Sequence, residues 1–176
     1  MNRRELIQRV TFMLGGVMAA PLMAGAMGEV LNSEPGLVAN DLQEKLLAEV
    51  ADIIIPATST PGAKEAGAHN FIIRVVRDCF TKDEQKKFYD GLSKLNDDSK
   101  SKFGKGFVDL SLAQKNEMIE DATVYNKDFF KEMKNLTITG YFTSEIGATQ
   151  ALAYDPIPGK FDGCTTLEKG QKAWAL

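Results

Sequence analysis

Apolar residues recur at steps of three and four through most of the chain, in blocks separated by turn residues, which is the pattern of amphipathic helices. In NDLQEKLLAEVADIIIP, the positions Leu42, Leu46, Leu47, Val50, Ile53 and Ile54 form one helical stripe, with Asn40 placed to cap it and Pro56 to end it. The stretch ATSTPGAKEAGAH then reads as a loop around a Pro61-Gly62 turn. A second helix is expected over about 70–80, apolar at Phe71, Ile72, Val75, Val76 and Cys79. Thr81-x-x-Glu84 has the form of a capping box, and Phe88, Leu92 and Leu95 continue a third helix despite Gly91.

Lys100 to Lys105 reads as a basic, solvated stretch. Ser111-x-x-Gln114 then repeats the capping pattern ahead of a short fourth helix at Met118, Ile119 and Ala122. From Lys127 the stripe Phe129, Phe130, Met133 and Leu136 predicts a last helix that extends into TITGYFTSEIG. No alternating strand pair and no internal repeat stands out. The expected class is all-α: a small helical domain of about four to five helices, with long loops and an irregular C-terminal arm.

The two ends depart from this pattern. At the N-terminus, MNRRELIQRVTFMLGG sets Arg3 and Arg4 ahead of the apolar pair Leu6 and Ile7, close to the twin-arginine export pattern. The run from Val10 to Ala26 is broken by Thr11, Gly15, Gly16, Pro21 and Gly25, so it falls short of the roughly 20 apolar residues of a stable membrane span. Ala24-Gly25-Ala26 has the small-x-small form that a signal peptidase accepts. The expected organisation is a signal peptide at 1–26, a linker at 27–39, a helical domain at 40–146 and an arm at 147–176. That arm combines Pro156, Pro158, Gly159 and Gly163 with Tyr154, Phe161 and Trp174. Long irregular segments in compact domains are functional or disordered, and aromatics argue against disorder. Tyr154, Phe161 and Trp174 are therefore the candidate partner interface, with an arm folded back over its own helices as the alternative.

Charge and chemistry narrow the function. The 21 basic and 24 acidic residues give a net charge of −3. Residues 1–26 hold three arginines and one glutamate, so the remainder carries 18 basic and 23 acidic residues, a net of −5 that disfavours a nucleic-acid surface. No dinucleotide fingerprint, phosphate loop, haem-attachment motif or cysteine cluster occurs. His69 is the only histidine, which leaves no pair for a metal site and no partner for a nucleophile. Asp97-Asp98 and Glu120-Asp121 are neighbours that point different ways on a helix, and Ser144 lacks a nucleophile elbow. No catalytic, cofactor-binding or metal residue is assigned. The two cysteines, Cys79 and Cys164, leave three readings open: an intrachain bridge, Cys79 buried as a core thiol, and a bridge from Cys164 to a partner.

Two blocks carry a resemblance. ADIIIPATSTPGAKEAGAHNFI and GYFTSEIGATQALAYDPIPGKFDGC, with the twin-arginine start, resemble the small subunit, subunit 3 or gamma, of the gluconate 2-dehydrogenase type, over about Leu42 to Trp174. The resemblance implies a non-catalytic subunit of a periplasmic dehydrogenase. Its large partner would be an FAD-containing flavoprotein of the glucose-methanol-choline type that oxidises a sugar or polyol, and a c-type cytochrome subunit often accepts the electrons. That large subunit commonly lacks an export signal. Arg3 and Arg4 would then present the folded pair to the twin-arginine translocase. An export chaperone that leaves after delivery, and an independent periplasmic enzyme, are the competing classes.

Overall fold

The computed structural model describes residues 37–154, 157, 159, 163–164, 166 and 168–175. Five α-helices make up most of this region: α1 (Asp41–Ile54), α2 (Ala68–Cys79), α3 (Lys82–Phe103), α4 (Leu112–Tyr125) and α5 (Lys127–Phe142). A 3-10 turn at Phe107–Asp109 joins α3 to α4, and a π-helical turn at Gly147–Ala151 follows α5. Beyond it β1 (Ala153–Tyr154) pairs in parallel with β2 (Trp174–Ala175). The class is all-α, as the periodicity predicts; the arm adds a two-residue strand pair that no alternation announced.

Three helices start where their capping residues stand. Asn40 Oδ1 accepts from the Gln43 N–H at 2.8 Å, and Gln43 Oε1 accepts from the Asn40 N–H at 3.0 Å. Thr81 with Glu84, and Ser111 with Gln114, make the same reciprocal pair. Each box satisfies two backbone donors that the first turn leaves without helical partners, for about 1 kcal/mol per cap.

The helices meet around one apolar core. Leu46, Leu47 and Val50 from α1, Ile72 and Val76 from α2, Phe88, Leu92 and Leu95 from α3, Met118 and Ile119 from α4, and Met133 and Tyr141 from α5 are its principal members. Burying each large apolar side chain is worth roughly 1.5–3 kcal/mol, and this collective term holds the helices together. Among the described residues the buried Tyr89 hydroxyl and His69 Nδ1 have no hydrogen-bond partner, whereas Gln85 is fully matched. Gln85, 2% exposed, uses Nε2 to donate to the carbonyls of Arg77 and Phe80, while its Oε1 accepts from the Leu37 N–H at 2.8 Å. One buried amide thereby ties the entering chain to the α2–α3 corner.

Several expectations need correction. Cys79 is not on the core face of α2: Ala68, Ile72 and Val76 are fully buried, whereas Cys79, three residues beyond Val76 in the last turn, is exposed. Phe71 and Val75, its partners in the predicted stripe, are only partly buried, because α2 turns the face one residue further round, Ala68-Ile72-Val76, into the core. The basic run also belongs partly to α3, which spans 22 residues to Phe103 and ends on Gly104 with φ 71°. Lys100 and Lys102 thus lie in its last turn, where cations suit the negative end of the helix dipole. Lys102 also reaches Glu117 at 2.6 Å and Asp121 at 2.7 Å on α4. Helix α4 itself is 14 residues long rather than short, and Leu42, in the first turn of α1, is exposed.

Candidate functional site

Among the described residues, no group of three histidine, cysteine or acidic side chains is placed to hold a metal ion. Of the polar residues considered for chemistry, Ser144, Asp97 and Asp121 have structural partners, whereas His69 Nδ1 is buried without a hydrogen-bond partner among the described residues. Ser144 Oγ donates to the Tyr141 carbonyl at 2.6 Å and accepts from the Gly147 N–H at 3.0 Å, which makes it part of the turn that closes α5. Asp97 pairs with Lys100 and Asp121 with Lys102. His69, in the first turn of α2, is partly buried; burial lowers its pKa below the ordinary 6.5 and favours the neutral ring. It borders a hollow of about 330 Å³ shared with Asp41, Glu44 and Lys64.

The first motif block is a clamp. Its loop, residues 55–67, folds back on itself through the Ala63 N–H to the Ile55 carbonyl at 2.9 Å and the Thr58 N–H to the Thr60 carbonyl at 2.9 Å. Tyr141, buried on α5, donates from its hydroxyl to the Pro61 carbonyl at 2.9 Å, and Thr60 Oγ1 lies 3.3 Å from the same hydroxyl. Gly62 must be glycine here, since a Cβ would fall 2.8 Å from both the Ala57 nitrogen and Asp52 Oδ1.

Beside this loop, Glu49 of α1 receives Lys64 of the loop at 2.6 Å and Lys115 of α4 at 2.6 Å. Burial pushes the Glu49 carboxyl up, but hydrogen bonds and charge from Lys115 and Lys64 outweigh it and hold the pKa below the ordinary 4.5. Neither Tyr141 nor Glu49 was singled out from the sequence. Their partners lie between 15 and 81 residues away, and no local spacing marks such pairs.

The second motif block builds the arm. Gly147 sits so close to the end of α5 that a Cβ would lie 1.9 Å from the Tyr141 carbonyl oxygen. Only glycine admits that turn, which redirects the chain into β1. Ala153 then donates its N–H to the Ala173 carbonyl at 2.8 Å, and Lys172 donates to the Gln150 carbonyl. Of the interface candidates, Tyr154 and Trp174 are brought together on the two paired strands and are 53% and 62% exposed. Phe161 lies outside the described residues, as do Arg3, Arg4 and the cleavage site after Ala26. Cys79 is a free exposed thiol, and Cys164 is exposed.

The described residues form a small all-α domain with a clamped loop and an exposed aromatic arm. The chain belongs to the gluconate 2-dehydrogenase subunit 3 family, whose model matches residues 41–159. The family is that of a subunit of a multi-subunit dehydrogenase, so its partners are dehydrogenase subunits. Comparison with curated proteins found no match, and comparison with solved structures found none.

Proposed function

We propose that this chain is the non-catalytic small subunit of a periplasmic FAD-dependent sugar or sugar-acid dehydrogenase of the glucose-methanol-choline type. It supplies the twin-arginine signal that exports the folded flavoprotein, and it stabilises that partner afterwards. In complexes of this type a c-type cytochrome subunit often takes the electrons onward. The observation that carries this reading is the Arg3-Arg4 export pattern on a chain of the subunit 3 family. Export of folded protein makes sense where a cofactor is inserted before transport, and on this reading the flavin sits in the partner.

Ser144, Asp97, Asp121 and Glu49 have partners within the fold, and His69 has no nucleophile in hydrogen-bond reach among the contacts described. Replacing Arg3 and Arg4 by lysine tests the proposal: both this chain and its flavoprotein should remain in the cytoplasm. A flavoprotein that still reaches the periplasm in that variant overturns the escort role. The isolated chain should show no flavin absorbance and reduce no dye with added sugar; either signal overturns the non-catalytic assignment.

A further inference from the structure

The two strands of the arm run parallel, and their register fixes where their aromatic rings point. Ala153 stands opposite Trp174, and Tyr154 opposite Ala175. Directly opposed residues share a face of a ribbon, while successive residues along a strand alternate faces. Tyr154 and Trp174 therefore project from opposite faces of the same ribbon. Each is more than half exposed, 53% and 62%, so the chain's own helices cover neither ring fully.

Such a ribbon is poorly supported alone. Parallel pairing is slightly weaker per residue than antiparallel pairing, and parallel strands are normally covered on both faces. Even a longer two-stranded ribbon is marginal in water, and here each strand has two residues. A flat partner surface would cover one ring and leave the other in solvent.

We infer that the β1–β2 ribbon inserts into a cleft of the partner dehydrogenase subunit, with one wall against Tyr154 and the other against Trp174. This rests on the subunit reading above and specifies the shape of the surface that receives the arm. A second copy of this chain is a poorer host: the hollow that carries Phe80, Phe88 and Phe129 also carries Glu84, Lys87, Asp128 and Glu132, so charge breaks up its apolar lining. Two aromatic rings that bury some 150–250 Å² each call for apolar walls.

The test uses the full chain in cells that also make its dehydrogenase. Photo-crosslinking with p-benzoylphenylalanine at position 154 or position 174 should link each position to the dehydrogenase polypeptide, and the two adducts should map to separate peptides. Tyr154→Ala and Trp174→Ala should each raise the dissociation constant of the complex at least about fivefold, as interface anchors do, while the helical circular dichroism of the chain stays unchanged. An adduct from one position only, adducts within this chain or to a second copy of it, or an alanine variant of either residue that binds normally overturns the cleft. A tagged wild-type chain that brings down no dehydrogenase at all overturns the subunit reading instead, and the cleft with it.

Discussion

The clamp loop at 55–67 and the arm from Gly147 onward are the two non-helical regions carried by the family motif blocks, and they handle their surfaces in opposite ways. In the loop, Ala63 is fully buried, the Pro61 carbonyl has the Tyr141 hydroxyl, and Lys64 has Glu49. In the arm, the large side chains Tyr154, Ile157 and Trp174 are exposed. Both regions are rich in proline and glycine, so composition alone does not separate them. Their difference lies in where the partners are: the loop finds them on α1 and α5 of its own chain, whereas the arm leaves these large side chains exposed.

The comparison predicts a graded set of losses. The largest falls on Tyr141→Ala, which removes a ring that is 2% exposed along with the loop's hydroxyl anchor. Deleting a buried aromatic side chain costs about 3–5 kcal/mol, and urea denaturation of the isolated chain measures it. A loss under 1 kcal/mol would mean that the loop is held without α5.

Glu49→Gln should cost about 1.5–3 kcal/mol, since it removes the charge that two hydrogen-bonded lysines share. The pH dependence follows from the depressed pKa of Glu49. The native state holds this group ionised to lower pH than the unfolded chain does, so its stabilisation is fully present above about 4.5 and is lost as pH falls through the native value. Stability curves of the wild type and of Glu49→Gln should therefore converge in acid and separate above that window. Parallel curves would show that the lysines do not act through the carboxylate.

Tyr141→Phe keeps the ring and deletes the hydroxyl alone, and about 1 kcal/mol is expected. Measured beside Tyr141→Ala, it splits the clamp into packing and hydrogen bonding. The smallest effect on the isolated chain belongs to the arm: Trp174→Ala and Tyr154→Ala should lie within about 0.5 kcal/mol of the wild type, as exposed substitutions do. A larger loss would reveal an arm that supports its own helices and would erase the contrast between the two regions.

How much of this is legible in the chain depends on the distance between interacting groups. The caps at Asn40, Thr81 and Ser111 were readable because each box closes over three residues, and the stripes of α1, α3 and α5 because helical periodicity repeats within a window of a dozen positions. The choice between adjacent faces was not: in α2, Phe71-Val75-Cys79 and Ala68-Ile72-Val76 are both apolar at helical spacing, and only packing in the shared core decides that the second is fully buried. The helix content, the caps, the family membership of residues 41–159 and the aromatic character of the arm were thus determined by the sequence itself, because each is a local pattern or an ordered motif. The Tyr141 anchor, the Glu49–Lys64–Lys115 cluster and the register that sends Tyr154 and Trp174 to opposite faces were decided only by the tertiary structure. Each joins residues far apart in the chain, and their meeting is a consequence of how the helices pack around a shared core.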